Sequence, residues 1–130
     1  MDNFQRFLTE KNLNEDEVFV LLVGQENDIL PGAEYYNYYV IVKTNEMVCY
    51  DNNDFNKEYH ISFSSFQQAE FGFAEGNLWI ISQVNGSFFA FGASRKMWKS
   101  GIGKKLVDKL GYYIGIDNEK AYNKFVGIRK

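Results

Sequence analysis

The 130-residue chain has one cysteine, one proline and one histidine. A single cysteine excludes an internal disulfide and suits a reducing compartment. A single histidine with no histidine or cysteine companion supplies no ligand set for a metal. No linker rich in proline, glycine or serine, no low-complexity tract and no repeat at solenoid spacing is present. No run approaches the roughly 18 apolar residues of a membrane-spanning helix. The opening "MDNFQRFLTEKN" lacks the basic-then-apolar order of a secretory signal. These absences lead to the expectation of one cytoplasmic domain, residues 1–130, with no transmembrane segment.

What is present is apolar and aromatic. Hydrophobic residues make up 45% of the chain and aromatics 18%, a globular composition able to bury one core. The net charge is −3 but unevenly spread. Residues 1–90 hold 4 Lys/Arg against 14 Asp/Glu, and residues 91–130 hold 10 against 3. Such asymmetry bears on partners or self-association rather than on fold. Its simplest consequence is that the two ends fold against each other and partly neutralise.

Periodicity sets out the elements. Phe4, Phe7 and Leu8 mark a short helix over residues 2–11. "VFVLLVG" (18–24) reads as a buried strand, and "QENDILPGAE" as an acidic loop with "PG" as its turn. "YYNYYVIVK", "MVCYD", "YHISF", "AEFGF", "LWIISQV" and "SFFAFG" follow as six more strands. "EGN" and "NG" act as hairpin turns, the second being the strongest such signal because a type I′ turn needs positive φ at both positions. Trp98, Ile102, Leu106 and Leu110 then recur at steps of four, which predicts one amphipathic helix, its start broken or delayed by Gly101 and Gly103. "DNEKAYNKFVGIRK" predicts a second, weaker helix capped by Asp117, with Tyr122, Phe125 and Val126 on its apolar side.

Seven strands in meander order and a closing helix resemble a pleckstrin-homology-like (PH-like) barrel. The stretch "HISFSSFQQAEFGFAEGNLWIISQVNGSFFAFG" and the following helix are similar to small bacterial PH or GRAM-like domains, as is the hairpin "YYVIVKTNEMVCYD". The resemblance covers about residues 17–112. It implies an α+β fold, a seven-stranded antiparallel half-open barrel capped by a C-terminal helix. The N-terminal helix (2–11) and a helical extension (115–130) lie outside that pattern. A second resemblance, of "YYVIVKTNEMVCYDNN" and "ISFSSF" to SUKH-type immunity proteins, would place helix where "EFGF" and "LWII" read as strands.

Motifs for catalysis are few. His60 reads as an ordinary strand side chain, and Cys49 as a small core residue. "DNNDFNKE" fails the calcium-loop spacing, since Phe55 stands at its fifth position and no glycine at its sixth. "GIGKKL" is half a phosphate loop, leaving only an anion held by backbone N–H groups near Gly103 with Lys104 or Lys105. No enzyme, no cofactor and no metal site is expected.

Two surfaces are candidates for a protein partner. In the tyrosine strand, Tyr36 and Tyr38 share one face and Tyr35 and Tyr39 the other, so one pair is expected to face out as a binding surface or homodimer seam. Joined to Arg95, Lys96, Lys99, Lys104 and Lys105 of the basic helix, Tyr36 and Tyr38 make the first candidate patch. Phosphoinositide is disfavoured because the first inter-strand loop is acidic, and nucleic acid because the chain is net negative. The resemblance thus implies a PH-like binding module, bacterial or phage in style, that works through protein contact. The alternative is an immunity or inhibitor protein that blocks a toxin or nuclease through Glu15, Asp16, Glu17, Glu26, Asp28 and Glu34.

Overall fold

Helix α1 (Asn3–Lys11) begins where Asp2 accepts a hydrogen bond from the Gln5 N–H and ends at Asn12, in the left-handed region at φ 55°. Its apolar side carries Phe4, Phe7 and Leu8, as the spacing predicts. The computed structural model describes residues 2–24, 27–31, 36–116 and 119–128. The "PG" turn beyond Pro31 and the Asp117 cap lie outside the described residues.

A 3₁₀ turn (Glu15–Glu17) leads into the seven strands of the described residues: β1 (Phe19–Val23), β2 (Tyr36–Val42), β3 (Glu46–Asp51), β4 (Glu58–Ser62), β5 (Phe66–Ala74), β6 (Asn77–Val84) and β7 (Ser87–Ser94), with a second 3₁₀ turn (Phe63–Ser65) between β4 and β5. All neighbours are antiparallel, in the order β4-β3-β2-β1-β7-β6-β5. β4 and β5 are edges, so the sheet is not closed. Asn85 and Gly86 both have positive φ, 51° and 85°, as the predicted hairpin requires. β5 is longer than "AEFGF" because it begins at Phe66 and runs through a bulge at Gln68 (φ 46°). On an edge strand, Gln67 and Gln68 can face water, so polar sequence does not end it.

The two meanders, β1–β4 and β5–β7, are paired along β1 and β7, at Leu22 opposite Gly92 and Val23 opposite Phe91. The loop after β1 extends this seam. Asn27 donates to the Ala90 carbonyl at 2.7 Å, and the Asp28 N–H to the Phe88 carbonyl at 3.1 Å.

Alternation along the strands makes two faces. The inner one holds the main core: Phe19, Leu21, Tyr38, Val40, Cys49, Leu78, Ile80, Phe89 and Phe91 among others. Over it lie α2 (Arg95–Lys99), α3 (Gly101–Ile114) and α4 (Glu119–Val126). On the outer side, Val18, Tyr39, Val48 and Tyr50 are covered by α1 and by Phe55.

The predicted single helix after Ser94 is two. Ser100 is extended (φ −70°, ψ 167°) and serves both, ending α2 and capping α3 by accepting from the Gly103 N–H at 3.2 Å. α4 docks through Phe125, which packs on Trp98 and Phe71 at ring distances of 5.3 and 5.1 Å. Tyr122 also donates its hydroxyl to the Trp98 carbonyl at 2.8 Å.

Candidate functional site

The tyrosine strand is packed on both sides, which corrects the expectation of an outward pair. Tyr38 is fully buried on the inner face, its hydroxyl donating to the Pro31 carbonyl and its ring against Tyr36 and Tyr59. Burial pushes its phenol well above the ordinary value. Tyr36 is half-buried and donates to Asp51 Oδ1 at 2.5 Å while accepting from Asn53 Nδ2 at 3.0 Å. Burial, then Asp51, raises its phenol. The opposite face is closed because Phe4 and Phe7 of α1 cover Tyr39. A lone barrel strand has an outside, but this one has a helix laid over it. Tyr35 lies outside the described residues.

Arg95 is likewise not free for a partner. Its guanidinium donates to the Val126 carbonyl and, at 2.6 Å, to the Ile128 carbonyl, and it lies over the Phe73 ring. It satisfies the carbonyls at the end of α4, where a cation is favoured by the helix dipole. Lys96, Lys99, Lys104 and Lys105 are exposed.

The acidic set does not form one face. Glu15, Asp16 and Glu17 form the 3₁₀ turn, which borders a cleft of about 620 Å³ with Ser94, Lys96 and Gly101 opposite. Asp16 and Glu17 share a smaller hollow with Lys105. The acidic turn therefore faces the basic helices within one chain. Asp28 sits beside Phe88, near the other end of β7 from Ser94. Glu26 and Glu34 lie outside the described residues.

A surface that the sequence reading missed is the outer face of β5–β7. α1 covers the outer face of β1–β3, but Ile81 and Phe88 are 38% and 39% exposed. They are diagonal neighbours on β6 and β7, with Glu70 directly opposite Ile81. Both line a hollow of about 300 Å³ at the β5 bulge, together with Gln68, Glu70 and Gln83. Trp79 extends the apolar strip. Its indole lies so close to Gly92 that a Cβ there would stand 2.6 Å from the ring, and its Nε1–H donates to the Ala74 carbonyl at 3.1 Å. Residues 58–94 contain no lysine or arginine, so every charge bordering the strip from this stretch is negative. The available signal was that unbroken lack of basic residues. In "LWIIS", however, both faces read as apolar, and alternation alone does not say which is covered.

The single cysteine is enclosed and the single histidine is engaged. Cys49 is buried and its thiol pushed far up by desolvation. Among the described residues, no group of three or more His, Cys, Asp or Glu is placed to hold a metal ion. His60, exposed on β4, has Nδ1 2.9 Å from Glu46 and Nε2 3.0 Å from Glu58. Hydrogen bonds to Glu58 and Glu46 raise its pKa from 6.5, and the His60 bond lowers that of Glu58. The His60 contribution to stability is thus fully present below its ordinary value of 6.5 and is lost as pH rises through the raised His60 value. On the acid side the Glu58 contribution is lost as pH falls through the lowered Glu58 value. An NMR titration of the His60 ring should give a pKa above 6.5 that falls toward 6.5 in both Glu46→Gln and Glu58→Gln. An unshifted ring would refute the pairing.

Compared with protein-family models, with curated proteins and with solved structures, the chain gave no significant match to any.

Proposed function

We propose that the protein is a non-enzymatic PH-like binding module that works through protein contact, and that the outer face of β5–β7 is its contact surface. Two meanders joined in the order β4-β3-β2-β1-β7-β6-β5, with a helix after the last strand packed over the inner face, are what a half-open barrel of that kind requires. The observation that carries the surface is the exposure of Ile81 and Phe88 beside Trp79, on a sheet whose outer face over β1–β3 is covered by α1. Apolar and aromatic groups bordered by polar ones are the usual anatomy of a protein interface. The contact surface moves from Tyr36 and Tyr38 to this strip, and the exposed lysines of α2 and α3 stay available to a partner.

The inhibitor reading draws less support, because the acidic residues it needs are divided between the two ends of β7. The test is capture of partners from nuclease-treated native lysate on the immobilised protein, eluted in steps of rising salt. A partner whose binding weakens about tenfold or more in Phe88→Asp or Ile81→Asp is expected, as for a central interface residue. A partner indifferent to both variants but lost on reversing Glu15, Asp16 and Glu17 would transfer the function to the acidic turn.

A further inference from the structure

Among the described residues the exposed large hydrophobic side chains are Ile81, Phe88, Tyr112 and Tyr113. They form two groups, one bordered by carboxylates and one on a helix whose lysines outnumber its carboxylate. Ile81 and Phe88 are bordered by Glu70 and by Asp28, whose N–H bonds the Phe88 carbonyl. Tyr112 is 82% exposed and Tyr113 38%, and the two rings meet edge to face at 5.2 Å. Both stand near the C-terminal end of α3, three to nine residues beyond Lys104, Lys105 and Lys109; Asp108 is the one carboxylate of that helix and shares Tyr112's hollow with Lys104 and with Glu119 of α4. α3 packs on the inner side of the sheet and the Ile81–Phe88 strip lies on the outer side, so one molecule cannot bring the two groups together.

We infer that the acidic, apolar strip of one copy receives the lysine- and tyrosine-bearing face of α3 from a second copy, head to tail. The inference rests on the reading of the strip as a protein-binding surface and adds the identity of an occupant. Charge selects the arrangement. Strip against strip would bring Glu70 and Asp28 toward their equivalents, and helix against helix would oppose lysines, whereas strip against helix pairs opposite signs. The aromatic and aliphatic side chains supply the apolar contact, and the charges fix its orientation. A contact between two different surfaces leaves one of each unused at the ends, so it propagates into chains or closes into rings rather than stopping at a dimer.

The purified full chain tests this by sedimentation velocity over a range of concentrations, at low and at high salt. The expected mass rises with concentration and falls with salt. Phe88→Asp alone and Lys104→Glu/Tyr112→Ser alone should each weaken association about tenfold or more. An equimolar mixture of the two variants should restore association and stop at the heterodimer, because each variant keeps the surface that the other lacks. Circular dichroism shows whether each variant remains folded. A wild-type chain that stays monomeric at low salt overturns the inference. So does a mixture that fails to associate, or an association unchanged in both variants. If the wild type is monomeric but a lysate protein still depends on Phe88, the binding surface stands and only its occupant is different.

Discussion

Replacing Trp98 by alanine should cost about 4 kcal/mol, the scale for removing a large buried aromatic. That is a major share of the roughly 5–15 kcal/mol that holds a domain folded. Trp98 is fully buried where the sheet and two helices converge. Its ring packs on Phe19 of β1 at 4.8 Å, on Phe91 of β7 at 6.3 Å and on Phe125 of α4 at 5.3 Å. Its Nε1–H donates to the Leu78 carbonyl at 3.0 Å. The alanine variant would lose the filling of this junction and the anchor of α4 together. A urea titration followed by circular dichroism should show the midpoint falling steeply. Trp98→Phe keeps most of the volume but not the hydrogen bond, and should lose about 1–2 kcal/mol. Equal losses in the two variants would mean that the hydrogen bond, not the packing, dominates.

The second large effect is expected at Gly103. A Cβ there would stand 2.2 Å from the Met97 carbonyl oxygen and 2.6 Å from that of Trp98. Both are backbone atoms, which cannot rotate away. Gly103→Ala must push the first turn of α3 off the end of α2, at a cost of about 2–3 kcal/mol. The helix preference of alanine over glycine, about 1 kcal/mol, offsets only part of it. Gly101 is the internal comparison, since nothing lies within 4 Å of a Cβ placed there. Gly101→Ala should be neutral or stabilising by up to about 1 kcal/mol. If both alanines behave alike in the urea titration, the close approach at Gly103 is not what sets its identity.

These two glycines show how far local pattern reaches. In sequence, both looked like weak starts to one helix. In the fold, Gly101 opens the second helix and Gly103 allows it to pass close to the first. The turns at Glu75–Gly76 and Asn85–Gly86 were legible because positive φ is a local requirement with a local signature. So were the inward sides of β5 and α4, where one face is plainly more apolar. Tyr36 and Tyr38 were misjudged because alternation does not say which face of β2 turns inward, and the cover of Tyr39 on the other face comes from α1, far away in sequence. Arg95 carried no local sign that its partners would be the carbonyls of Val126 and Ile128. The strip at Ile81 and Phe88 was hidden for the converse reason. Its residues are as apolar as their buried neighbours Leu78, Ile80 and Phe89, and only tertiary placement separates them.

The seam between β1 and β7 has a further consequence, in time rather than in space. Each meander is built from hairpins whose strands are close in sequence, so each can zip locally once its turns are in place. The seam is different: the Asn27 bond to Ala90 spans 63 residues, and Leu22 meets Gly92 across the whole intervening chain. Closing so long a loop must precede any reward from it. During synthesis the inner faces of β1 and β2 emerge long before Phe91, Trp98 or Leu106 exist to cover them. Joining the halves is then expected to be the slow step of folding. Until it occurs, the nascent chain presents Leu21, Val23 and Val40 to whatever else in the cell binds bare apolar strands.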